Sequence, residues 1–223
     1  MHKTLQLAAF AVLSTGLGVL TALPASAETT PTPTPASYTC HGLKATIVGT
    51  DAPDTLTGTE GRDVIVALGG ADVIDGLGGN DVICAGTGND TVLGGAGKDW
   101  ISGGHGDDVL SGGAFDDRVW GGPGNDKVNG DDGYDVVGGG DGRDVVNGGN
   151  GDDKVYGGTG NDHLLGGAGR DRLYGERGRD LLEGEAGRDV VRGGTGADLE
   201  FQGSAPAAIV TAWYAAHGPQ LTL

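Results

Sequence analysis

One carboxylate recurs every nine residues. Between Gly49 and Phe201 the chain divides without insertion into seventeen nonapeptides, 153 residues in all, and the sixth position of each is aspartate. The series is Asp54, Asp63, Asp72, Asp81, Asp90, Asp99, Asp108, Asp117, Asp126, Asp135, Asp144, Asp153, Asp162, Asp171, Asp180, Asp189 and Asp198. Aspartate in a glycine-rich turn ordinarily serves the turn alone, accepting from nearby amides. Asparagine would do that equally well and never stands at position six, whereas position five takes Asn, Arg, Lys, Asp and Pro. Carboxylates stacked at the ~4.8 Å spacing of paired strands repel one another unless a cation lies between them. Carboxylate and carbonyl oxygens in flexible loops suit a hard divalent ion, and calcium better than magnesium. All seventeen aspartates are therefore candidate calcium ligands.

The elements that must position them follow from the other places in the repeat. Position eight is Leu, Ile or Val in every unit except the last, where Glu200 stands. Position one is Gly except at Ala67 and Ala85, and position four is Gly except at Ala52 and Phe115. Positions seven to nine read as a short strand with one inward apolar residue. Positions one to six read as the turn, where glycine permits positive φ. Successive units then fall on opposite sides of a flat roll, and stacked neighbours are 18 residues apart. Ile65 should lie on Ile83, and Val128 on Val146.

The pattern Gly-Gly-x-Gly-x-Asp-x-apolar-x resembles the RTX (repeats-in-toxin) family, the haemolysin-type calcium-binding repeats, over residues 49–201. The resemblance implies an all-β fold, a parallel β-roll solenoid with two nonapeptides per turn. It also implies that each ion takes aspartates from two turns 18 residues apart, together with backbone carbonyls. One column would run from Asp54 to Asp198 and the other from Asp63 to Asp189, giving gaps for at most about 15 ions. Position two departs most from the pattern, with Gly in 10 of 17 units and Asp131, Glu176 and Glu185 among the substitutes. Residues 157–201 also hold six arginines against nine acidic residues. Arg170, Arg172, Arg177, Arg179, Arg188 and Arg192 should either weaken cation binding there or pair with Glu176, Glu183 and Glu185.

Composition narrows the function further. The chain has 223 residues, 48 of them glycine, and a formal net charge of −17. That charge gives a phosphate backbone nothing to bind, so a nucleic-acid partner is not expected. No His-Glu-x-x-His or Gly-x-Ser-x-Gly is present, and Gly97-Lys98 is followed by Asp99 where a phosphate loop needs Ser or Thr. His105 and His163 fall at variable positions and read as solvated decoration. An enzyme is therefore not expected. The expected function is a calcium-binding repeat protein with a structural, adhesive or envelope role, folding on extracellular calcium. The alternatives are a module of a secreted hydrolase or toxin system, and a surface binder of ice or glycan. The irregular residues at positions seven and nine, such as Arg118 and Trp120, argue against the surface binder.

The ends complete the expected organisation. Residues 1–27 have a positive start, an apolar stretch and Ala25-Ser26-Ala27, which together read as a secretory signal peptide. A secreted, extracellular protein follows. Residues 28–39 form a Thr/Pro-rich spacer. Residues 40–48 continue the repeat phase, with Ile47 at the apolar place and Ala45 where aspartate belongs, and read as a calcium-free N-terminal cap. Residues 202–223 bring aromatic and aliphatic side chains and read as a C-terminal cap over the last layer. The two cysteines, Cys40 and Cys84, suggest one disulfide in an exported protein.

Overall fold

The computed structural model describes residues 38–217, so the expected signal peptide and most of the Thr/Pro spacer lie outside the described residues. Within this span the chain winds as a parallel β-solenoid with two stacked sheets, one of nine strands and one of ten. Consecutive nonapeptides alternate between the sheets, and each strand pairs in parallel with the strand 18 residues away. Ile65 pairs with Ile83, and Val128 with Val146, as the repeat length requires. The position-eight side chains form one continuous apolar column from Ile65 to Val191 between the sheets.

The strands are longer than the expected three residues over most of the roll. Thr55–Thr57, Val64–Val66 and Val73–Asp75 do span positions seven to nine. From Val82–Thr87 onward most strands run six or seven residues and take in positions one to three of the next unit. Only positions four to six then remain as turn. From Leu68 onward position two takes a positive φ, in the short strands as in the extended ones, which lets the chain bend and still pair with its neighbours. Glycine supplies this where present, but Leu68, Leu77, Asp131, Glu176 and Glu185 also adopt φ between 60° and 79°. Each holds a conformation that costs an L residue energy, so the stacked neighbours must impose it.

Residues at both ends pack on the outer faces of the sheets. Thr39–Cys40 and Leu43–Lys44 form a small antiparallel hairpin, and Ile47 pairs in phase with Ile65. Cys40 and Ala45 are buried in a second apolar cluster with Val64, Val66 and Val82. A disulfide joins Cys40 to Cys84, with Cα atoms 5.8 Å apart.

At the other end, helix α1 (Ala207–His217) buries Trp213. It lies along the flank of the ten-stranded sheet, with Ile209 and Trp213 beside Leu199 of the last turn and Tyr214 at His163. His163 there is 6% exposed. One ring nitrogen of His163 meets Tyr214 Oη, and the other lies 2.7 Å from Glu183 Oε1. The reading of His163 as solvated decoration is thus corrected: the returning helix covers it. Burial alone would raise Glu183, but its bonds to His163 and to the Ala205 N–H outweigh that and hold it below the usual range. The same buried charge, added to desolvation, pushes Tyr214 up to about 12.

Candidate metal centre

The position-six aspartates point into the roll. From Asp72 to Asp180 each is at most 2% exposed. One carboxylate oxygen has a fixed duty: the backbone N–H of the aspartate 18 residues earlier donates to Oδ1. Asp126 N–H donates to Asp144 Oδ1 at 2.8 Å, and Asp135 N–H to Asp153 Oδ1 at 2.8 Å. The same bond recurs from Asp54 to Asp180. This ladder stacks the turns and leaves one oxygen per carboxylate uncommitted.

That second oxygen decides what the turn can hold. Oδ2 is buried with no hydrogen-bond partner in fourteen aspartates, from Asp72 to Asp189. A buried acceptor without a donor is costly, and its repetition in fourteen turns calls for a ligand. The space beside it is kept open by glycine at position one. A Cβ on Gly148 would sit 2.7 Å from Asp153 Oδ2 and 2.6 Å from the Gly166 carbonyl oxygen. At Gly166 the corresponding distances are 2.7 Å to Asp171 Oδ2 and 2.7 Å to Gly184 O. A carboxylate oxygen and a carbonyl oxygen from the next turn thus face the same small volume. Both are acceptors, which suits a cation and no hydrogen-bond donor from the chain. Among the described residues no three acidic, histidine or cysteine side chains converge. Backbone carbonyls must therefore complete the shell of any ion held there.

Burial and mutual repulsion leave these groups poorly charged without an ion. Desolvation, opposed by the amide bond and reinforced by neighbouring aspartates, pushes Asp117 and Asp144 up to about 8. Asp126, Asp135 and Asp162 rise to about 7 for the same reasons. Asp180, nearer the C-terminal end, rises to about 6.

A scan against family models matches the RTX calcium-binding nonapeptide repeat at residues 48–83, 85–118, 106–137, 138–173 and 165–200. The chain belongs to the RTX calcium-binding nonapeptide repeat family. No curated protein matches it. The RTX repeats account for the shared geometry of the central turns, while the outer units differ from it in ways the motif does not specify.

Five of the seventeen aspartates have a different setting, one of them Asp198 in the last turn, which is only half-buried and accepts from the Asp180 N–H. Thr50 donates from its N–H at 2.6 Å and its hydroxyl at 2.9 Å to Asp54 Oδ2. Thr59 does the same to Asp63 at 2.7 and 2.8 Å. These two carboxylates are satisfied by the chain itself. Asp72 and Asp90 keep a free Oδ2, but their units carry Ala67 and Ala85 where glycine otherwise leaves the cradle open. Threonine at position two was the available signal in the sequence for the first pair. It is informative only once its hydroxyl is seen on the carboxylate. Among the described residues none of the six C-terminal arginines forms an ion pair with a carboxylate, so the expected pairing with Glu176, Glu183 and Glu185 is corrected. Glu183 pairs with His163 instead.

The contrast between turns predicts unequal mutants. Asp144→Ala should abolish at least one calcium site and lower the calcium-saturated melting temperature by about 5–10 °C, the loss of a well-filled site in a chain of this size. Asp54→Ala should leave the number of bound ions unchanged, because Thr50 already serves that carboxylate. Calorimetric titration and thermal melts of both variants check this, and equal ion loss would refute it.

Proposed function

We propose that this chain is an exported protein whose RTX roll assembles when calcium fills its central turns, and that it serves outside the cell as a structural or adhesive element. The observation that carries this reading is the run of buried, unpartnered Oδ2 atoms beside open glycine cradles. Twelve aspartates combine both features: the fourteen with a free Oδ2, less Asp72 and Asp90. They are Asp81, Asp99, Asp108, Asp117, Asp126, Asp135, Asp144, Asp153, Asp162, Asp171, Asp180 and Asp189. Their residues would supply the carboxylate oxygen, and the facing position-one carbonyls would supply part of the remaining shell. Bound calcium would contribute positive charge where the carboxylates crowd and would offset the cost of burying them.

Export fits the same scheme through residues 1–27 and the disulfide. Calcium at millimolar level outside the cell fills sites of the affinity typical of extracellular modules, ~0.1–1 mM. A chain folded by such sites would stay open during export and close afterwards. Native mass spectrometry of the chain across a calcium titration tests the proposal. The expected result is a family of calcium-bound species that approaches about ten ions, one for each gap between stacked turns. A chain that takes up no calcium in the millimolar range would overturn it.

A further inference from the structure

Positions seven and nine look irregular when read every nine residues, but the fold sorts them by sheet and the relevant interval becomes 18. On the nine-stranded sheet, Trp120, Gly138, Tyr156 and Tyr174 then stand side by side on consecutive strands, followed by Arg192. Arg118, Lys154 and Arg172 lie two residues away on three of the same strands. Among the described residues, the N-terminal segment covers the opposite half of this sheet, around Val64 and Val82.

The aromatic row is continuous because of its glycine. A Cβ at Gly138 would collide with the Trp120 ring, so the indole lies across that strand and reaches toward Tyr156, with centroids 6.2 Å apart. Tyr156 and Tyr174 continue it with centroids 5.2 Å apart and planes within 15°. Trp120 is still 37% exposed. Among the described residues neither tyrosine hydroxyl has a hydrogen-bond partner, and none of the four cations forms an ion pair. In a chain of charge −17, four cations without an ion pair gather positive charge beside a row of rings, with Asp152 in the groove next to Arg172. The acidic residues on these strands, Asp141 and Glu176, stand at positions three and two, away from both rows, and Asp141 accepts from Thr159.

We propose that this face binds a linear acidic polysaccharide lying across the strands, sugar rings against the aromatic row and carboxylates on the cationic row. The proposal rests on the calcium-folded roll described above and names its partner class. A neutral glycan would leave the cations without purpose. A nucleic acid carries a charge every ~1.7 Å of duplex, far denser than four cations spread over these strands can meet. Strands repeat at ~4.8 Å, so the cations from Arg118 to Arg192 span about 19 Å, long enough for several sugar units.

The test uses the full mature chain at fixed calcium, with immobilised hyaluronan and unsulfated chondroitin as acidic probes, dextran as the neutral probe and an oligothymidylate as the nucleic-acid probe. The chain should bind one or both acidic polymers, weaken as salt rises, and ignore dextran. Trp120→Ala and the double variant Lys154→Gln/Arg172→Gln should each lose roughly tenfold or more in affinity, as removal of central aromatic or charged anchors does. Trp120→Phe should recover part of that loss, and Arg62→Gln, which removes a charge elsewhere, should bind as the parent does. Circular dichroism in calcium confirms that each variant is folded. Failure to bind either acidic polymer, equal binding of dextran, tighter binding of the oligonucleotide, or unchanged affinity in the folded variants would overturn the proposal. Binding that persists in chelator, with the roll still formed, would instead refute folding by calcium and leave this surface assignment standing.

Discussion

Chelating calcium at neutral pH is expected to abolish most of the β-sheet signal of residues 28–223 and to expand their hydrodynamic radius. Each nonapeptide buries a single aliphatic side chain in the column from Ile65 to Val191. Against that stands the ordering of nine residues, several of them glycines, which lose the most backbone freedom on folding. The carboxylates add a further penalty, since fourteen buried Oδ2 atoms have no donor in the chain. Ions that bind only the folded turns stabilise by mass action, ~2.7 kcal/mol per site at hundredfold excess over the dissociation constant. Many such sites in one stack make the folded state conditional on calcium.

The first turns should behave differently in the same experiment. Thr50 and Thr59 satisfy Asp54 and Asp63, and the Thr46 hydroxyl donates to Asp63 Oδ1 at 3.1 Å. The second apolar cluster and the Cys40–Cys84 disulfide reinforce this end. Hydrogen exchange in chelator should therefore find residual protection around Val64–Val66 and Val82–Cys84 while strands beyond Trp100 exchange freely. Thr50→Val with Thr59→Val should remove that residual protection. A compact, β-rich chain that survives full removal of calcium would show that packing alone holds the roll. Uniform exchange from end to end would show that threonine does not stand in for the ion.

The roll was legible in the sequence because its period is strict. A nine-residue repeat with one apolar place and alternating sides fixes the 18-residue register, and Ile65 on Ile83 follows directly. The disulfide was legible from the expected export signal and the cysteine count. Other features depend on which residues meet across the fold. Nothing in the local sequence at His163 announces that Trp213 and Tyr214, fifty residues on, will cover it. The substituents at position two were seen as departures from a motif. Their φ values of 60–79° show that the stack enforces the glycine-like conformation on Leu68, Asp131 and Glu176. The two outer faces were invisible at period nine, because neighbouring units in the sequence decorate opposite sheets.

Acid is expected to replace calcium in part. In the metal-free roll burial lifts Asp117 and Asp144 to about 8, Asp126, Asp135 and Asp162 to about 7, and Asp81, Asp108, Asp153, Asp171 and Asp180 to about 6. An aspartate in the unfolded chain titrates near ~3.9. Between these values the roll holds protons that the unfolded chain has released, so protons favour the roll. This contribution is complete below about pH 4 and is lost as pH climbs through the raised values of 6 to 8. At pH 5 in chelator the chain should therefore regain much of the β-sheet signal that it lacks at pH 8, and it should lose it again on return to pH 8. Neutralising a strongly acidic chain also relieves general repulsion, so added sodium chloride at pH 8 is the control. Salt screens exposed charges over a Debye length of ~3 Å at 1 M, yet it cannot protonate a buried Oδ2. If salt alone restored the sheet at pH 8, long-range repulsion would be the barrier to folding and the buried carboxylates would not. If acid failed to restore it, neutral aspartate would be unable to take the place of the calcium-bound form in the stack.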